Sequence, residues 1–340
     1  MRRFFSLLIC FLLCSILNAQ EIKTEEVTFT NIKDSVTLSG TITYPLNYKK
    51  AKKTPILVLI SGSGAQDRDE KIFHHKPFKE IAEYLAQQGI ATLRYDDRGY
   101  GKSTGNANSV TIQSNMEDAQ SGINFLRKRK FKKIGALGHS EGGSIVPMLG
   151  SNNQIKFGVS LAGMAIKGDS LLVEQNYNAF KIFYPDSVCT NYCYLLNLVF
   201  KRKQTGLNGA KPQQVVDEII KTSGRKIPAN MALNLVAILS QKSDYLDWFL
   251  KFNPKEYLIK CKIPLLVLNG NKDSQVNAAT NLNAFKDALP HNSKTVIKEY
   301  PNLNHLFLEC KTGNVNEYKT IKTGIPAYVL RDIADWVNRL

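Results

Sequence analysis

The sequence predicts an α/β chain: a mostly parallel, doubly wound sheet that opens with an antiparallel hairpin and is interrupted by an inserted helical cap. Three observations predict it. Continuous apolar runs of strand length, PILVLI at 55–60 and PLLVLN at 264–269, read as strands buried on both faces. Helix-period segments separate those runs, as parallel strands require. Between about 165 and 260 the buried runs stop and only helical spacing remains. The composition agrees. A chain of 340 residues with 43% hydrophobic and 22% charged residues is globular, which excludes a mostly disordered chain. Its length lets it bury a core without help from disulfides or metals. A mean hydropathy of −0.22 excludes a multi-span membrane protein.

The elements follow in order. Met1-Arg2-Arg3, an apolar run over 4–17 and Asn18-Ala19 match a secretory signal peptide at 1–19, cleaved after Ala19. That run is shorter than the ~20 residues of a membrane helix, so no stable membrane span is expected after cleavage, and the protein is expected to be secreted or periplasmic. Leu12-Leu13 stand before Cys14 where a lipid-modified cysteine would follow small residues. Alternation at 25–31 and 36–44 around a polar turn predicts the hairpin. Strands are expected at 55–60, 90–95, 134–138, 157–161, 264–269 and 294–300. Helices are expected at 76–88, 112–128, 142–149, 278–289 and 324–340. Within the cap, 192–203, 212–223 and 229–240 are the clearest helices, the second carrying Val215, Val216, Ile219 and Ile220 at helical spacing. The domain reading is therefore a core at 20–164 and 261–340, with the cap at 165–260.

The formal charge of +16 is dispersed. Its densest run, Arg127 to Lys133, closes a predicted helix, where cations oppose the negative end of the dipole. No nucleic-acid module accompanies it, so no nucleic-acid partner is expected. Of six cysteines, Cys10 and Cys14 leave with the signal. Cys189, Cys193, Cys261 and Cys310 remain, and an exported chain permits disulfides. Cys189 and Cys193 could meet only in a helix or tight turn, and Cys261 and Cys310 fall at separate strand ends. Buried free thiols are expected. No histidine stands at ligand spacing from them, so no metal is expected.

Gly138-His139-Ser140-Glu141-Gly142 is a G-x-S-x-G pattern between a predicted strand and a predicted helix. Side chains at the glycine positions would clash in so tight a turn. The turn lifts Ser140 clear of the sheet, and the following helix points its positive end at the hydroxyl. A serine hydroxyl needs a base. Sites on open α/β sheets form beyond the carboxyl ends of strands. Of five histidines, His305 alone lies just past such an end; His291 precedes its strand, His74 and His75 precede an early helix, and His139 is the serine's neighbour. Asp273 follows the strand before the histidine's own and is the acid expected to orient it; Asp244, Asp247 and Asp287 are poorer candidates. The backbone N–H groups of Glu141 and Ser63 are expected to hold an oxyanion, with Gly64 as the alternative to Ser63. No phosphate-loop pattern is present.

These parts identify a resemblance. From about 54 to 340 the chain resembles the α/β-hydrolase superfamily, with serine, acid and histidine in that family's order. Gly62-Ser63-Gly64-Ala65-Gln66-Asp67-Arg68-Asp69, the stretch Arg94 to Ser103 and Gly138-His139-Ser140-Glu141-Gly142-Gly143 look like its bacterial acyl esterase, thioesterase and serine-aminopeptidase-like branch. The resemblance implies an α/β-hydrolase fold and hydrolysis of carboxylic esters through an acyl-enzyme on Ser140, without a cofactor and with a small-molecule acyl ester as substrate. Ser61-Gly62 stands where many members carry His-Gly. Asp96-Asp97-Arg98-Gly99 is expected to build the neighbouring loop by ion pairing. Tyr177, Phe180, Phe183, Phe200 and Trp248 are candidates to line the site from the cap. The alternatives are an aminopeptidase or amidase, with Asp186, Asp217, Glu218, Asp244 or Asp247 holding the substrate amine, a thioesterase, a non-catalytic binding protein, and a basic protein that binds anionic polymers.

Overall fold

The computed structural model describes residues 21–340. The expected signal segment, its cleavage after Ala19, and Cys10 and Cys14 lie outside the described residues. Eight strands form one sheet in the order β1-β2-β4-β3-β5-β6-β7-β8. β1 (Thr24–Asn31) and β2 (Val36–Thr43) form the antiparallel hairpin, and β2 pairs antiparallel with β4 (Ala91–Tyr95). β3 (Pro55–Ile60), β5 (Lys133–His139), β6 (Gly158–Leu161), β7 (Leu265–Gly270) and β8 (Val296–Tyr300) run parallel to β4. The fold class read from the sequence stands.

The side-chain period of a strand explains the layers. Along β3, Ile56, Val58 and Ile60 enter one apolar cluster, whereas Leu57 and Leu59 enter another. α2 (Ile112–Lys128), α3 (Glu141–Ser151) and α10 (Ala278–Ala288) cover the first face with Ile123, Ile145 and Phe285. α1 (Pro77–Gln87) and α11 (Ala327–Asn338) cover the second with Ile81, Leu85 and Ile333. Helix starts follow local chemistry. Pro77 sits in the first turn of α1, where its missing N–H costs nothing. Thr111 and Ser114 form a reciprocal capping box on α2. α11 begins after Pro326, slightly later than the pattern suggested. In the basic run that closes α2, Arg127 donates to the Gln154 carbonyl and Arg129 pairs with Glu25.

Six helices stand between β6 and β7: α4 (Gly168–Phe180), α5 (Asp186–Thr205), α6 (Pro212–Ser223), α7 (Ala229–Ser240), α8 (Asp244–Lys251) and α9 (Lys255–Leu258). Tyr192, Leu196, Val216 and Leu235 form an apolar core of their own. α5 starts six residues before the segment singled out in the sequence, and α4, α8 and α9 were not singled out. α4 turns Leu171 to the sheet-side core and Val173 to the helices' own core, so no single stripe marks it. All four remaining cysteines are free; Cys189, Cys193 and Cys261 are buried. Cys310 departs from the expected burial because it lies in the loop after edge strand β8 and is partly exposed. Burial pushes the Cys261 thiol up to about 12 and the Cys193 thiol up to about 11, which leaves both unreactive. No helix of the described residues is long and apolar enough to cross a membrane.

Candidate active site

β5 passes directly into α3 through Ser140, whose backbone sits at φ 55° and ψ −117°. A non-glycine residue there carries about 1–3 kcal/mol of strain. The surroundings force it. A Cβ on Gly142 would run into the Ile60 carbonyl oxygen, and one on Gly138 into the Gly142 carbonyl. The Ser140 N–H donates to the Leu161 carbonyl at 2.8 Å, which ties the turn to β6. Ser140 is half-buried, and its Oγ makes no hydrogen bond among the described residues. Such bonds are often open before substrate binds.

Asp273 lies in the turn after β7. Its Oδ1 accepts the N–H groups of Gln275 and Val276 at 2.8 Å each, and its Oδ2 faces His305 Nδ1 at 2.7 Å. With Nδ1–H committed to the carboxylate, Nε2 is left as an acceptor. Both residues are buried. His305 follows β8, and the buried Asn304 side chain shapes its loop by accepting the Leu306 and Leu308 N–H groups at 3.0 Å. Ser140, Asp273 and His305 therefore all stand at carboxyl ends of parallel strands. The other candidates stand elsewhere. His291 is exposed before β8, and Asp287 is exposed on α10. Asp247 pairs with Lys203 at 3.3 Å, and Asp244 opens α8. His74 and His75 face the Ile321 and Tyr318 carbonyls.

The two expected anion donors remain open. Among the described residues the N–H groups of Ser63 and Glu141 have no acceptor, whereas the Gly62 N–H donates to Glu70 Oε1 at 2.8 Å. Gly64 stands at φ 89° with open space around it. The Ser61 hydroxyl, where a histidine is common, donates to Asp97 at 2.7–2.8 Å. The loop after β4 is built by ion pairs at two of its three charged positions. Asp96 takes Arg68 through both oxygens, and Arg98 takes Asp118 the same way. Asp97 has no cation, which corrects the expectation for that residue; it accepts only Ser61 and the Gln66 N–H. Burial, reinforced by Glu70 and Glu141 and opposed by those two hydrogen bonds, pushes its carboxyl up to about 8.

A cavity of about 230 Å³ opens beside Ser140, lined by Met164, Leu171, Leu172, Leu246, Phe249 and Val276. Tyr245 of α8 closes one side, its hydroxyl donating to Glu141 Oε2 at 2.5 Å and lying 3.0 Å from Ser63 Oγ. The Ser63 hydroxyl also donates to Glu141 at 3.2 Å, and Asn115 supplies a third donor at 2.9 Å. Burial pushes the Glu141 carboxyl up, against those hydrogen bonds. None of the five aromatic residues proposed as lining reaches this cavity. Phe200 is buried among the helices, Tyr177 and Phe180 pack on the same core, Trp248 packs toward the sheet, and Phe183 is exposed. Of the acids offered for amine binding, Asp186 takes the Tyr177 hydroxyl and Asp217 takes Gln213; none lines the cavity. Tyr245, Leu171, Glu70 and Asn304 were not found from the sequence. Each acts across long sequence separations or through a loop whose shape no pattern announces.

Comparison with known proteins agrees with the fold. A family model described as serine aminopeptidase, S33, matches residues 72–198. Esterase EstD of Thermotoga maritima is 25% identical over 302 residues, which cover 88% of this chain and 65% of that protein. The chain thus spans just under two thirds of that relative's length. An esterase of Pyrococcus furiosus, Pf2001, superposes with a TM-score of 0.55 at 16% identity, over 94% of this chain and 91% of its own. A proline iminopeptidase of Mycobacterium smegmatis superposes with a TM-score of 0.57 at 13% identity, over 93% and 98%. Taken with the eight-stranded sheet and the strand-to-helix serine turn, these show that the chain has the α/β-hydrolase fold.

Proposed function

We propose that the protein is a serine hydrolase that cleaves carboxylic esters through an acyl-enzyme, and that it works outside the cytoplasm after removal of residues 1–19. The observation that carries the reading is the 2.7 Å Asp273–His305 bond on the same sheet rim as the strained Ser140 turn. Ser140 Oγ attacks the ester carbonyl and gives its proton to His305 Nε2. Asp273 holds the ring's tautomer and offsets the imidazolium. The negative oxygen of the tetrahedral intermediate takes hydrogen bonds from the Ser63 and Glu141 N–H groups, at the positive end of α3. Collapse expels the alcohol, which leaves with the proton from His305. Water then attacks the acyl-serine with His305 as base, releasing the acid and restoring Ser140. The apolar cavity suits an acyl chain, and an esterase stands among the relatives in sequence.

The test is a panel of p-nitrophenyl esters of rising chain length beside aminoacyl and peptidyl amides, with a fluorophosphonate probe read by mass spectrometry. Ester turnover and an adduct on Ser140 are expected. Absence of the adduct favours a binding protein, and faster amide than ester turnover favours an aminopeptidase. Export is checked by sequencing the N-terminus of the processed protein, expected to begin at Gln20.

A further inference from the structure

Glu70 and His139 form a buried pair that the chemistry above leaves idle. Glu70 follows the loop after β3, is fully buried, and sits at φ 53°. Its Oε1 accepts the Gly62 N–H at 2.8 Å and faces His139 Nδ1 at 2.8 Å. The other ring nitrogen, His139 Nε2, faces the His305 carbonyl oxygen at 2.8 Å. A carbonyl oxygen has no proton to give, and Glu70 Oε1, which already accepts the Gly62 N–H, faces Nδ1 as an acceptor too. Both ring nitrogens must therefore donate, and a neutral imidazole has only one N–H. We propose that Glu70 and His139 are a buried carboxylate–imidazolium pair that positions His305, joining the donor loop, the serine turn and the histidine loop into one unit.

The surroundings are consistent with that charge. Burial by itself would strip the proton from His139, but the Glu70 carboxylate, its hydrogen bond, the His305 carbonyl and the more distant Asp273 outweigh it and hold His139 above the ordinary histidine range. The other titratable groups nearby are Asp97, which senses Glu70, Glu141 on the far side of Ser140, and His305 itself. The His139 and His305 rings lie 4.7 Å apart between centroids. His139 thus bounds one side of the His305 ring. The hydrogen bond fixes the carbonyl of the same residue. His139 is thus a positioning residue, and its catalytic consequence rests on the hydrolase reading; its charge state does not.

Two measurements decide it. In the full chain labelled with 15N-histidine, long-range 1H–15N spectra at pH 7 should give His139 the pattern of two protonated nitrogens, assigned by its loss in His139→Gln. Glu70→Gln should move that titration at least one pH unit lower. A single protonated nitrogen on His139 at pH 7 overturns the pair. For the positioning role, Gln at 139 can still reach the His305 carbonyl, whereas Asn can reach only toward Glu70. His139→Asn should lower kcat/KM tenfold or more and His139→Gln less. In both, the loss should fall on kcat, with KM little changed. Equal loss in the two variants, or a loss carried by KM alone, overturns the positioning role and leaves His139 a packing residue. If the wild-type protein turns over no ester, the hydrolase reading falls, and the spectra alone judge the pair.

Discussion

The floor and the roof of the cavity beside Ser140 are made differently. The floor is backbone. Ser140 owes its place to glycines pressed against carbonyl oxygens of β3 and α3, and Asp273 owes its place to two N–H groups of its own turn. The roof is side chains. Leu171, Leu172 and Phe249 come from helices between β6 and β7, and one tyrosine hydroxyl fastens α8 to Glu141. Backbone geometry tolerates almost no substitution, whereas an apolar roof can be resized without touching the chemistry. The floor should therefore set whether the protein reacts, and the roof should set what it accepts.

That contrast can be broken at the floor first. Ser140→Ala is expected to reduce p-nitrophenyl butyrate turnover by ~10⁴-fold or more without lowering the thermal midpoint. His305→Ala should behave alike, and His291→Ala should leave the rate unchanged; the reverse pattern would falsify the strand-end assignment. Gly142→Ala should destabilise by about 1–3 kcal/mol or more, because its Cβ meets fixed backbone, read as a lower urea midpoint. If the midpoint stays put, the turn is softer than its contacts imply.

The roof should respond more gently. Leu172→Ala should shift preference toward longer acyl chains by about tenfold, as a ratio of kcat/KM values between butyrate and octanoate esters. An equal fall for every chain length would mean that the roof serves the chemistry itself. Asp97 bears on stability rather than on what the cavity accepts. Its carboxyl is raised to about 8 in the folded chain, so the folded state binds the extra proton more tightly. That contribution to stability is fully present below the unfolded value near 4 and lost as pH rises through about 8. Asp97→Asn should flatten the pH dependence of the thermal midpoint between pH 5 and 8. A wild-type curve that is already flat would mean that Asp97 is ionised throughout.

The sheet was legible because β3 and β7 are buried on both faces, and strands of that kind leave unbroken apolar runs. The places of Ser140, Asp273 and His305 in the fold were legible for a related reason. A serine turn needs glycines at fixed offsets, and the strand-end rule turns chain order into a location. The roof was not legible. Tyr245 lies 182 residues from the Ser63 hydroxyl it approaches, and no local pattern couples the two. Large aromatic residues such as Phe200 look like lining in sequence but fill the helices' own core instead. Glu70 lies 69 residues from His139, in a run of charges whose partners only the fold decides.

His305 depends on the least protected strand. β7 is buried along its whole length, whereas β8 is the sheet's outer edge, with three of its five residues exposed and only Tyr300 buried. Lys298 and Tyr300 fasten it to α11 through Asp332, and charge on an edge also discourages pairing with another chain. Edges open locally at less cost than the interior. Gentle warming should accordingly silence the protein while most of its sheet is still intact, with Asp332 as the residue that sets the gap between those two temperatures.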